Sequence, residues 1–177
     1  DRGDARAVVA VSGAEITRRP APRSALRAGG IAAVAPLAAV FGGAAAAALA
    51  AVGATALAVG VYLGRRDAVD GGALVAFAGV VLAGVNDAPA LPVLLGTVAT
   101  VLAWDVGGNA LSLGAQLGRE ADTSRVESLH ALAGAAVGVT AAVVGFALFA
   151  VGPTRQPVTT LFVLLLGATL LVVALNR

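Results

Sequence analysis

Apolar residues fill this chain in long unbroken blocks, and the short polar interruptions between them fall at intervals suited to a bilayer. Residues 28–64 include no charged side chain. As one helix that run would measure about 55 Å, nearly twice the ~30 Å of a hydrocarbon core, so a hairpin turning near Gly42 and Gly43 is predicted in its place. Its first span covers 24–41, capped by Ser24 and kinked at Pro36, and its second covers 44–64. A charged loop with Arg65, Arg66, Asp67 and Asp70 then leads to a third span, 71–85, which is short for a crossing. Asn86, Asp87, Pro89 and Pro92 mark the next turn, with Asp87 placed to cap the fourth helix. The fourth span, from 91 to Trp104, continues as a polar-striped helix to about 118 unless Gly107 and Gly108 break it. Ser124 and Glu127 have the S-x-x-E form of a capping box opening a fifth span that runs to 151, and 158–175 supplies a sixth.

The stripe is the one place where an apolar span becomes two-faced. Asp105, Asn109, Ser112, Gln116 and Arg119 recur at i, i+4, i+7, i+11 and i+14, with Val106, Ala110, Leu113 and Leu117 beside them. This surface, 105–125, is the candidate for partner binding or for a polar path. A second pattern is small-residue spacing: Gly60 and Gly64, Gly114 and Gly118, and Gly134 and Gly138 stand at G-x-x-x-G distance, and Gly145 extends the last set. Such faces let helix backbones approach closely in lipid, which suits a tight bundle or a subunit interface.

Composition agrees with the pattern. Of 177 residues, 59% are hydrophobic and 12% charged, with mean hydropathy +0.92, against roughly 25% charge in soluble domains. The expected fold is therefore all-α, a polytopic membrane bundle of about six transmembrane helices with a cytoplasmic amphipathic extension after the fourth. It divides into a basic N-terminal tail, 1–27, and a membrane domain, 28–177. The tail has no apolar run long enough for a secretory h-region, so the first span is expected to target the chain, and with Asp at position 1 further residues are expected before it. All twelve basic residues are Arg, and six spans put eleven of them on one side, leaving Arg155 opposite. Both termini are then cytoplasmic in a cell membrane. A net charge of +2 gives no reason to expect a nucleic-acid partner, and the absence of Cys removes disulfides and thiolate metal sites.

Candidate chemistry is thin. Asp105 is the ionisable residue nearest hydrocarbon; its simplest role is an interfacial carboxylate bonded to Asn109. Glu127 and His130 form E-x-x-H, a spacing found in di-iron bundles, but a site of that kind needs the motif twice and further carboxylates. Phosphate-binding, zinc-hydrolase and serine-hydrolase motifs are absent. No catalytic group, metal or cofactor is expected.

The stretch WDVGGNALSLGAQLGREADTSRVESLHA (104–131), with LPVLLGTVATVLAWD before it and QPVTTLFVLLLGATLLVVAL at the end, resembles a haloarchaeal family of small multi-pass membrane proteins without an assigned function. The resemblance implies gene neighbours encoding a MoxR-like ATPase and its partner proteins. It thus implies membership of a larger assembly. The resulting expectation is a non-catalytic membrane subunit or scaffold surrounded by lipid, docking other membrane subunits or copies of itself through its glycine faces and the 105–125 segment. The alternative is a small transporter or channel with Asp105 and Asn109 on its path.

Overall fold

A computed structural model describes residues 19–118 and 124–151, the side chains of 148 and 149 excepted. The described residues form helices and turns, with no strand among them. The helices are α1 (Pro22–Ala32), α2 (Val34–Ala39), α3 (Ala44–Leu63), α4 (Arg66–Val85), α5 (Ala90–Leu117) and α6 (Ser124–Val151). Five are long and apolar enough to cross a membrane once α1, α2 and the single 3-10 turn after them are taken as one stretch, Pro22–Gly42. The sixth expected span, 158–175, lies outside the described residues. By internal contacts the chain divides into two units, Asp1–Val143 and Val144–Arg177. Of the second, the described part is the end of α6.

The predicted hairpin forms. Gly43, at φ 101°, reverses the chain in a conformation that side chains with a Cβ rarely adopt. Pro36 lacks the N–H that would bond the Ala32 carbonyl, and the helix breaks at Ala33, one turn before it. Ser24 is not the cap: Pro22 occupies the first helical position after Ala21, and Ser24 sits buried in the first turn. The third span is not short. Arg66, Asp67 and Asp70, expected in a loop, are helical, and α4 reaches 20 residues. Asp67 in the first turn suits the positive end of the helix dipole. Asn86 ends α4 and donates through Nδ2 to the Gly42 carbonyl at 2.8 Å, tying two turns at one end of the bundle together. Asp87 takes a left-handed φ of 61° and leaves α5 uncapped; Pro89 is the N-cap residue there.

Helices α3 and α4 make the most extensive pairing. They run antiparallel with Gly53 against the Ala76 backbone, Gly72 against Leu57, Gly79 against Ala50 and Gly60 against Val69. A Cβ on any of these glycines would collide with backbone of the other helix. The seam therefore repeats every seven residues on each helix, Gly53 to Gly60 and Gly72 to Gly79. Helix α5 lies across this pair, Gly107 meeting Val61 and Val69, and Gly96 meeting Ala38 and Val80. One core cluster joins α1, α3, α4 and α5 around Leu57, Val61, Val69 and Val106; a second joins α2, α3 and α4 around Val80 with five alanines.

Candidate functional site

These pairings alternate helix directions, so the start of α1, the α3–α4 turn, the later part of α5 and the start of α6 share one end of the first unit. Every charged side chain among the described residues lies at that end except Asp87. Three polar groupings bridge helices there.

The first joins α1 to α6. Ser24, fully buried, has its hydroxyl between both oxygens of Glu127, at 3.0 and 2.9 Å, and Arg27 Nη1 donates to Oε2 at 3.1 Å. Arg27 also donates to the Ser124 carbonyl at 3.4 Å and to its hydroxyl at 2.6 Å. Glu127 is only 3% exposed, which is tolerable for a carboxylate because both oxygens are bonded and one faces a guanidinium. The glutamate of the expected capping box is thus turned toward α1, across about a hundred residues of sequence.

The second joins α5 to α6. His130 Nε2 lies 2.7 Å from Asp105 Oδ2, both side chains partly exposed. A carboxylate only accepts, so Nε2 carries the hydrogen. Asp105 therefore finds its partner on another helix, not in Asn109. Glu127 and His130 turn to different helices, and no cluster of three His, Asp or Glu suited to a metal ion occurs among the described residues. The pair heads an apolar groove of about 560 Å³ that runs along α5 and α6 past Val101, Val98 and Val137.

The third joins α4 to α5. Trp104 Nε1 donates to Asp70 Oδ1 at 2.6 Å, and Arg66 Nε donates to Asp70 Oδ2 at 3.2 Å. The Arg66 guanidinium lies over Gly108, close enough that a Cβ there would stand 3.1 Å from Nη1. Trp104 is 42% exposed. No buried side-chain polar atom among the described residues is left without a hydrogen bond.

Gly107 and Gly108 do not break α5, which runs 28 residues. Beyond Gly108, which faces Arg66 at the α3–α4 turn, nine more residues continue the helix. Gly114 packs there against the backbone of Arg19 and Pro20, while Ser112, Gln116 and Leu117 are exposed. Ser112 bonds back to the Gly108 carbonyl, and Asn109 is half-buried. Arg119 lies outside the described residues. Of the glycines singled out by spacing, Gly60 is in the α3–α4 seam, Gly134 and Gly138 face Leu102 and Val98 of α5, and Gly145 has open space around it. Gly64 and Gly118 end helices at φ 72° and 79°. Sequence reasoning did not find Ser24, Arg27, Arg66 and Asp70 as bridging residues. The available signal was their position, polar side chains one turn inside an apolar span.

A family model, that of a family of unknown function (DUF7519), matches residues 18–172. The chain belongs to that family. No curated protein and no solved structure matches it.

Proposed function

We propose that this protein is a non-catalytic integral-membrane subunit that docks a partner on the exposed end of α5. The observation that carries this reading is the exposure of Ser112, Gln116 and Leu117 on the last turns of that helix, at the charged end of the first unit. Apolar helices compatible with a membrane protein are the part of this reading that the fold carries directly. The arginines at positions 19, 23, 27, 65, 66 and 125 share the end from which α5 projects. By the positive-inside rule that end is cytoplasmic, and the partner meets it from the cytoplasm. The resemblance adds a haloarchaeal source and a MoxR-like ATPase as a component of the same assembly to this proposal.

Isolation from native membranes in mild detergent is expected to give co-migrating subunits. Gln116→Arg is expected to lower their yield without changing the melting of the isolated chain. A stable lone monomer, indifferent to that substitution, overturns the reading. A second reading, a small transporter or channel, draws on the Asp105–His130 pair at the head of its groove. It requires liposome flux that falls with Asp105→Asn, and flux indifferent to that change removes it.

A further inference from the structure

Helix α6 is tied to the rest of the first unit by two bridges of different chemistry. In one, Arg27 meets Glu127, and a guanidinium keeps its positive charge throughout the physiological range of pH. In the other, His130 Nε2 meets Asp105 Oδ2 at 2.7 Å. Histidine is the side chain that ordinarily changes charge between pH 5 and 8, and this is the sole histidine of the chain. The side chains of His130 and Asp105 are 39% and 47% exposed, so protons reach the pair without any opening of the fold. We infer that the pair is a pH-sensitive latch: a proton gained by His130 tightens the seating of α6 on α5, and its loss loosens it.

The geometry sets the sign. Nε2–H donates to the carboxylate whether the ring is neutral or charged. With a second proton on Nδ1 the ring becomes a cation facing an anion, and a hydrogen bond charged at both partners is shorter and stronger than one between less charged groups. Helices α1 and α5 are the ones bonded to α6 here, and their charged side chains are Arg23 and Arg27 on α1 and Asp105 on α5. On α6 itself stand Arg125 and Glu127. Glu127, one turn before His130, has both oxygens bonded by Ser24 and Arg27, so it does not compete with Asp105 for the imidazolium. Beyond the pair, α6 meets α5 through Gly134 and Gly138, where a Cβ would stand 2.9 Å from Leu102 Cδ1 and from Val98 Cγ1. No described residue in the apolar window of α6 is buried, so little apolar packing masks a change at the polar end. The inference rests on neither the docking role of α5 nor a transport path.

The test is hydrogen exchange of the full chain in detergent at pH 5.5 and pH 8, expressed as protection relative to the unstructured rate at each pH. Both values lie above the range in which carboxylates ordinarily take up protons. Protection over 127–140 is expected to be about two- to fivefold higher at pH 5.5, the bias an exposed ion pair supplies, while α3 and α4 stay unchanged as an internal reference. His130→Gln keeps an amide donor but has no proton to gain, and is expected to abolish the pH response with α6 still helical. Asp105→Asn removes the carboxylate and is expected to abolish it as well. Equal protection of 127–140 at the two pH values in the unaltered chain, or a pH response that persists in His130→Gln, overturns the inference. Subunit co-migration and liposome flux are separate readouts, so failure here and failure of the functional readings are told apart.

Discussion

Gly71 and Gly72 are sequence neighbours with opposite surroundings, and they make the sharpest test of the α3–α4 seam. A Cβ on Gly72 would collide with the Leu57 backbone nitrogen and stand 2.8 Å from the Gly53 carbonyl oxygen and 2.9 Å from the Leu57 Cα; one on Gly71 would meet nothing within 4 Å. Ordinary Cβ contacts lie at 3.4–4 Å, so Gly72→Ala must push α3 and α4 apart by about an ångström. A gap of that size forfeits a quarter to a half of each dispersion contact along the seam, and overpacking of this kind costs about 1–3 kcal/mol. Helix propensity works the other way, alanine gaining about 1 kcal/mol over glycine, and at Gly71 it acts alone. The propensity gain is common to both, so Gly72→Ala is expected to be less stable than Gly71→Ala by the overpacking alone, about 1–3 kcal/mol. Thermal melting of the two variants in one detergent, followed by circular dichroism, measures the difference as several degrees. Equal melting temperatures, or a more stable Gly72→Ala, would refute a seam built on backbone contact.

The remaining expectations concern the charged end. Arg27→Gln removes the guanidinium bonds to Glu127 and Ser124 and should cost about 1.5–3 kcal/mol, the worth of a hydrogen bond to a charged group; hydrogen exchange should show 124–140 losing protection before α3 and α4 do. Ser24→Ala removes one donor from the same carboxylate and should cost about 1.5–3 kcal/mol, measured by the same melts. Because the chain has no cysteine, single Arg65→Cys and Asp87→Cys variants can be labelled from either side of sealed vesicles. They should react in different compartments, and labelling from one side alone contradicts the alternation of helix directions. The sole tryptophan, Trp104, should be quenched more by lipids brominated near the headgroup than by those brominated at the chain end.

The hairpin over 28–64 was legible because two constraints meet there: no helix of that length fits a bilayer, and glycine stands where the chain must reverse. The start of α4 was not. Arg66, Asp67 and Asp70 read as loop by charge, yet Arg66 and Asp70 pair at helical i,i+4 spacing, and Asp70 also accepts from Trp104, 34 residues later, a bond that no local pattern reports. The glycine seam was hidden for a different reason. Gly53, Gly72 and Gly79 have seven-residue partners with alanine between, and in a chain this rich in alanine and glycine that arrangement looks like its surroundings. Glu127 and His130, three residues apart on one helix, look like a pair by spacing; the fold separates them because the start of α6 lies against both α1 and α5 and gives one residue to each.

Helices in lipid gain little from burying apolar faces against one another, since the chains they displace are as apolar as leucine, so association rests on packing and on polar bonds. This bundle uses the two means in different places. Where α3 meets α4, glycine brings backbones together and no polar side chain is needed. Helix α6 has no buried residue in its apolar window, against 33–39% in the other four spans. What fixes it within the first unit is Glu127 and Ser124 on α1, His130 on Asp105, and the two glycines that let α5 approach. A helix held mainly at its polar end leaves apolar troughs beside it along the rest of its length, and those troughs are where lipid or a partner can enter.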